Sequence, residues 1–273
     1  MRDDQQRSAL IAAVEADDLG FEVDTAEAEF LVGWENVVLS TRDGWIVRFP
    51  RGEHHQYLRE LRVLARLQGR LPADIPQVVA TGRRRDFAVY RRLEGSEFDL
   101  DSYNAATTQV RNRLATSLGR FLARMHGALD PDAIVDLGIP EFGAEDDPTP
   151  TDRLSRQQAQ RVAELQRRCA EYSARSSIRV LLHNDFHPGN LVLDRPLGVL
   201  SGVWDFSCVS IGDPSLDFRY LVGDSLDLAQ RVASAYAAST GREIDLGLAR
   251  LSRQLEDIGD ALEEGRDPGP YLG

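Results

Sequence analysis

The chain contains no lysine: all 32 basic residues among its 273 are arginine. Any duty a lysine ammonium performs elsewhere, phosphate anchoring included, falls here to a guanidinium or is not performed. Cysteine is nearly as scarce. Cys169 and Cys208 cannot form a disulfide framework, which excludes small stapled folds and points to a reducing compartment. No apolar run reaches membrane-spanning length, so no membrane partner is expected. The opening MRDDQQRSALIAAVEADD is too polar for an export leader, and a cytoplasmic location is the expectation. Positive charge is also short. With 44 acidic residues the net charge is −12, which argues against nucleic acid as a partner and suits a cationic small molecule.

Hydrophobic residues make up 42% of the chain, enough for one large core or two modest ones. The spacing of Leu10, Ile11 and Val14 predicts an amphipathic helix over 4–18. Strands are expected over Phe21 to Val32, at Val37-Val38-Leu39 and at Trp45 to Phe49, with Asp43-Gly44 as a hairpin turn between the last two. Leu58, Leu61, Leu64, Ala65 and Leu67 recur at helical spacing over 52–69. Two more strands, Ile75 to Thr81 and Asp86 to Leu93, flank the turn Gly82-Arg83-Arg84-Arg85. A helix is predicted over 104–128, an irregular insertion over 130–150 and a polar helix over 151–175. A short hairpin, from Leu191 to Phe206, and helices follow to the end.

Between the polar helix and that hairpin lies HNDFHPGN, residues 183–190, at the mouth of the apolar run Val180-Leu181-Leu182. Two chemistries compete for it. His183, Asp185 and His187 alternate as metal ligands on one strand face would, but Pro188-Gly189 breaks the strand and no second ligand pair resembling a zinc site follows. Phosphoryl transfer needs a carboxylate to orient and deprotonate a hydroxyl, which Asp185 supplies. It needs an oxygen ligand for Mg²⁺, which Asn190 offers five positions later, and an anionic second ligand, which Asp205 offers at the end of the apolar strand in VWDFS.

HNDFHPGN, VWDFS and IGDPSLDF together resemble the aminoglycoside phosphotransferase family, a branch of the protein-kinase-like fold, and the pairing of HNDF with DP-x-x-DF is most similar to its 2''-aminoglycoside group. The resemblance extends to WIVRFPR, the helix bearing Glu60, YRRLEGSEF and LGRFLARMH. It implies an α+β, two-lobed kinase-like fold: an N-terminal nucleotide-binding lobe over 1–94, with an antiparallel sheet and a helix, and a mainly helical catalytic lobe over 95–273. It implies Asp185 as catalytic base, Asn190 and Asp205 as magnesium ligands, and ATP or GTP as co-substrate. His183 would hold the loop, Asp217 would brace it, and the nucleobase would meet the backbone at Arg91, Arg92 and Leu93. Where the kinase pattern places a phosphate-holding lysine on the third strand, paired with a helix glutamate, this chain has Arg48, with Glu60 as its partner. The phosphate-covering turn is expected around Gly33-Trp34-Glu35-Asn36.

The expected activity is transfer of a γ-phosphoryl group to a hydroxyl of an aminoglycoside or related cationic antibiotic by a monomeric enzyme. The acidic segment Glu141 to Asp147 and the tail residues Glu256, Asp257, Asp260, Glu263 and Glu264 could bind amines, or could be a solvated loop and helix face. Alternatives are a kinase of another antibiotic or of a metabolic alcohol such as homoserine, choline or a sugar. A nucleotide-binding pseudokinase is a further one, motivated by Arg48 and by the absence of glycine after Asp205-Phe206.

Overall fold

The computed structural model describes residues 2–33, 36–144, 153–175 and 177–272. Its first lobe is a five-stranded antiparallel sheet in the order β1-β2-β3-β5-β4. The strands are β1 (Glu29–Val32), β2 (Asn36–Ser40), β3 (Trp45–Pro50), β4 (Val78–Thr81) and β5 (Ala88–Arg91). The β2–β3 turn is the expected one, with Gly44 at φ +84°. Central β3 sorts its side chains by the two-residue period of a strand. Trp45, Val47 and Phe49 face α1 (Arg2–Glu15), whose Leu10 and Val14 close a small apolar core against them. Arg48 is consequently turned to the opposite face, where α2 (His54–Leu67) lies. That helix buries Tyr57, Glu60, Val63, Leu64 and Leu67, a helical stripe with one acid in it.

The second lobe is mainly helical. Helices α4 (Thr108–His126) and α8 (Leu226–Thr240) pack side by side, and α6 (Arg156–Arg175) and α7 (Arg219–Asp224) lie against α9 (Leu246–Glu263). Two small sheets carry the motif segments: β7 (Val180–Leu182) pairs with β10 (Ser210–Gly212), and β8 (Leu191–Leu193) lies between β6 (Ser96–Glu97) and β9 (Leu200–Val203). Backbone bonds join the lobes, since the Asp74 N–H donates to Ser201 O at 2.8 Å and the Val203 N–H donates to Asp74 O at 2.9 Å. Val63, Leu64 and Leu67 of α2 also extend into the large core of the second lobe.

Three expectations are corrected in detail. The first predicted strand is confined to Glu29–Val32; residues before it run as coil and turn, and Phe21 instead stacks on Trp45 with ring centroids 4.6 Å apart. The helix predicted over 104–128 is two helices, α3 (Leu100–Ala105) and α4, because Ala106 is extended and the Thr107 hydroxyl caps a new N-terminus by accepting from the Val110 N–H. Part of the predicted irregular insertion is helical: Asp130 caps and Pro131 starts α5 (Pro131–Leu137), which Gly138 ends in the left-handed region.

The contact between α4 and α8 has a sharp requirement at Gly119. A Cβ there would lie 2.7 Å from the Val232 carbonyl oxygen and 2.9 Å from the Tyr236 amide nitrogen, both backbone atoms. Helix propensity favours alanine over glycine by about 1 kcal/mol, but overpacking costs about 1–3 kcal/mol. Gly119→Ala is expected to lower stability by urea unfolding, and a stabilised variant would contradict the close approach.

Candidate active site

The loop HNDFHPGN is suspended from a carboxylate on the far side of it. Asp217, fully buried, accepts from the His183 N–H at 2.9 Å and from the Asn184 N–H at 2.7 Å. His126, at the end of α4, donates to it from Nε2 at 2.9 Å, and the Tyr236 hydroxyl of α8 lies 3.0 Å from Nδ1 of the same ring. Burial acts to raise the Asp217 pKa, but His126 and the His183 amide outweigh it and hold the carboxyl below its ordinary range. His183 is itself fully enclosed. Its Nε2 lies 3.0 Å from the Trp204 carbonyl and its Nδ1 accepts from the Asp185 N–H at 3.3 Å. One nitrogen donates and the other accepts, so the ring is neutral, and burial depresses its pKa accordingly. With both nitrogens engaged it has none for a metal. Among the described residues no cluster of three His, Cys, Asp or Glu side chains is arranged to hold one. The alternating-ligand reading of HNDFHPGN is thereby excluded.

Asp185 stands free of this brace and faces the cleft. Asn190 donates from Nδ2 to its Oδ2 at 2.7 Å and to its carbonyl oxygen at 2.9 Å. His187 approaches the same Oδ2 with Nε2 at 3.5 Å, while its Nδ1 accepts from the Gly189 N–H at 3.0 Å and so caps the short 3₁₀ turn Pro188–Asn190. Burial works to raise the Asp185 pKa, but His187, His183 and Asn190 together lower it, so the carboxylate is ionised and ready to accept a proton. Asn190 spends its N–H groups on Asp185, which leaves its carbonyl oxygen as the donor to a cation.

Asp205 lies two residues beyond β9 in a left-handed conformation, φ +61°, that turns it back toward the sheet of the first lobe. Its Oδ1 accepts from the Ser207 hydroxyl at 2.7 Å and from Arg48 Nη2 at 2.8 Å. The other fork of Arg48 meets Glu60 Oε1. Burial alone would favour a neutral guanidinium, but Glu60 and Asp205 outweigh it and push the Arg48 pKa further up. The two acids therefore hold one permanently charged group between the lobes.

Arg48, Asp185, Asn190 and Asp205 line one cleft of about 1530 Å³. Glu60 sits behind Arg48, out of that lining. Arg91 and Leu93 are also outside it: the Arg91 guanidinium lies 3.4 Å over the Trp45 ring and donates to Asp43 O at 2.8 Å, and Leu93 packs over Gly202. Gly33 and Asn36 reach the cleft, whereas Trp34 and Glu35 of the expected phosphate-covering turn lie outside the described residues. The opposite wall is acidic. Glu256, Asp260, Glu263 and Glu264 of α9 and its end, with Asp224 of α7, line the cleft, while Asp257 pairs with Arg253 at 2.6 Å. Burial raises the pKa of both Asp224 and Asp260. The acidic segment from Glu141 contributes Phe142 and Gly143 to the lining, and its Asp146 and Asp147 lie outside the described residues. Sequence reasoning missed Arg219, Tyr220 and Asp224, which also line the cleft; the available signal was their place directly after DPSLDF.

The profile of a family described as the phosphotransferase enzyme family matches residues 27–252. No curated protein matches the chain. Among solved structures, the chain is similar to the GDP complex of wild-type aminoglycoside 2'-phosphotransferase-IIIa, with 18% identity, TM-score 0.76 and 97% of each chain covered. It is similar to an APH(2")-IIa in a ternary complex with streptomycin and ATP, with 19% identity, TM-score 0.62, and 89% of this chain and 88% of that one covered. It is also similar to the macrolide 2'-phosphotransferase MphH from Brachybacterium faecium, with 22% identity, TM-score 0.64, and coverage of 97% and 98%. These likenesses establish the two-lobed, kinase-like fold.

His187 makes the loop sensitive to pH. Burial pulls its pKa down, but Asp185, Asp224 and Asp205 outweigh burial and raise it above 6.5. A raised folded-state pKa gives stabilisation that is complete below about pH 6.5 and is lost as pH rises through the raised value. The stability lost on His187→Asn is therefore expected to be larger at about pH 6 than at about pH 9. Urea titrations at the two pH values measure it, and equal losses would remove the imidazolium from the account.

Proposed function

Because the chain belongs to the phosphotransferase enzyme family, we propose that it transfers the γ-phosphoryl group of ATP or GTP to a hydroxyl of an aminoglycoside or related cationic antibiotic. The observation that carries this reading is the convergence of Asp185, Asn190, Asp205 and Arg48 on one cleft whose far wall is acidic.

Asp185 accepts the proton of the acceptor hydroxyl as that oxygen bonds to the γ-phosphorus and the bond from phosphorus to the β–γ bridging oxygen breaks. Asn190 fixes the orientation of the base, and the neutral His183 ring fixes the backbone that carries it. Arg48 supplies a fork matched to phosphate oxygens. Because Arg48 also bonds Asp205, nucleotide and carboxylate would share one cation. The donor set suits magnesium, a hard cation satisfied by few protein oxygens: the amide oxygen of Asn190 and the carboxylate of Asp205 would hold it. When bound it would neutralise charge on the phosphates and leave the chain's own residues to position the acceptor. The first lobe, 1–94, would bind the nucleotide. The second, 95–273, would bind the acceptor.

On the acidic wall, Asp224 and Asp260 are carboxyls whose charged form is penalised by burial. An ammonium beside them would relieve that penalty, whereas a neutral sugar or alcohol would not. This favours an acceptor that carries cationic nitrogen over a neutral sugar.

Streptomycin, gentamicin and kanamycin, each with Mg²⁺ and either ATP or GTP, are the first panel, read by mass spectrometry for addition of one phosphate. Nucleotide binding with no transfer to any acceptor, extended to sugars, choline and homoserine, would make the chain a nucleotide-binding module instead. Asp185→Asn is expected to reduce turnover by about 10²–10⁴-fold with nucleotide affinity within about twofold of wild type by calorimetry; undiminished turnover removes Asp185 from its role. Arg48→Met is expected to raise the nucleotide KM by at least about tenfold, and an unchanged KM would remove the phosphate-anchor role.

A further inference from the structure

One side chain connects the acidic wall to the catalytic loop. Arg219 opens α7 and is 3% exposed. Toward the loop, its Nη1 donates to Asn184 Oδ1 at 2.9 Å and its Nη2 donates to the Asn184 carbonyl oxygen. Asn184 immediately precedes Asp185 and sits in the left-handed region at φ +65°, which asparagine enters more readily than most residues with a side chain. The two bonds from Arg219 and the Asn184 N–H bond to Asp217 are what hold it.

Toward the cleft, Arg219 Nε lies 3.4 Å from Glu256 Oε2. The Tyr220 hydroxyl donates to Oε1 of the same carboxylate at 3.0 Å. Phe142 and Tyr220 flank the guanidinium, with ring centroids 5.6 and 4.5 Å away, so the plane of the fork is fixed. The Nε–H is buried and makes no hydrogen bond; its contact with Glu256 is an ion pair with slack in it. Glu256 is 34% exposed, in the cleft. Its charge offsets part of the cost of burying Arg219.

A cation arriving at Glu256 therefore draws on the carboxylate that also balances Arg219, and Arg219 grips the peptide that aims Asp185. We propose that Arg219 is a positioning residue that couples occupancy of the acceptor wall at Glu256 to the orientation of Asp185, so that the site transfers phosphate to a bound acceptor in preference to water. This rests on the proposed acceptor class and adds to it a route by which the acceptor prepares the base.

The test compares wild type, Arg219→Lys, Glu256→Gln and the double variant, using whichever of streptomycin, gentamicin and kanamycin the wild type phosphorylates. Acceptor kcat, acceptor and nucleotide KM, and nucleotide hydrolysis without acceptor are measured. Each single variant is expected to lose roughly 10²-fold in acceptor kcat, the scale of an Å-level misplacement of a reacting group. Nucleotide KM should stay within about twofold, hydrolysis without acceptor should fall by much less than transfer does, and the double variant should be no worse than the poorer single one. Multiplying losses, or hydrolysis falling in parallel with transfer, would reduce Arg219 to a structural role and overturn the proposal while leaving the proposed function standing. If Arg219→Lys does not fold, Glu256→Gln decides alone from the exposed end: a rise in acceptor KM with kcat intact overturns the coupling. A wild type inert toward all three acceptors overturns both readings.

Discussion

Asp217 carries a negative charge with no surface exposed to water, and the donors that make this tolerable set the geometry of the cleft. An unpaired buried carboxylate would cost several kcal/mol. Here it collects two successive backbone N–H groups from the HNDFHPGN loop and an imidazole N–H from α4, while Tyr236 of α8 steadies that imidazole. Four separate segments of the chain must be in place for the charge to be satisfied. The loop is thus held from its buried side, and Asp185 is left unburdened on the open side. Gly119 belongs to the same constraint, because the close approach of α4 and α8 brings His126 and Tyr236 together.

A second ion network works across the lobes. Arg48 spans Glu60 of α2 and Asp205 of the second lobe, and is nearly enclosed between them. A planar fork can reach both acids at once, with one nitrogen for each. The network fixes α2 against β3 and holds the segment after β9 against the first lobe. Backbone bonds at Asp74 and the reach of α2 into the larger core add to it, so the cleft lies between lobes that are physically joined at its back.

Much of this was legible in the sequence because the chemistry is local. Asp185 and Asn190 sit five residues apart in a loop after an apolar strand, and Asp205 follows the next hairpin, so short-range spacing brings all three to one edge. Arg48 and Glu60 were found through the resemblance to the kinase pattern, which pairs a third-strand cation with a helix glutamate. Local signals were misread where a cap decides an element: Thr107 starts a new helix inside the span predicted as one, and Asp130-Pro131 starts a helix inside a segment rich in helix breakers. The α9 carboxylates were ambiguous for a deeper reason. A helix face turned to bulk water and one turned to a polar cleft have the same sequence pattern, and only the packing of α6 and α7 against α9 distinguishes them. Arg219 carried only the signal of its place directly after DPSLDF, because its partners, Asn184 and Glu256, are 35 and 37 positions away and nothing in the intervening composition marks them.

The absence of lysine has a practical outcome at the proposed nucleotide site. A side-chain amine can be acylated, reductively alkylated or captured as an imine, and a lysine at the phosphate anchor exposes an enzyme to each of these. The buried guanidinium of Arg48 offers no such nucleophile, and no other side chain in the protein offers an amine in its place. Were Arg48 the phosphate anchor proposed above, acetylation could not switch it off, and acyl-phosphate nucleotide probes that label kinases through their lysine would pass through the cleft without leaving a mark.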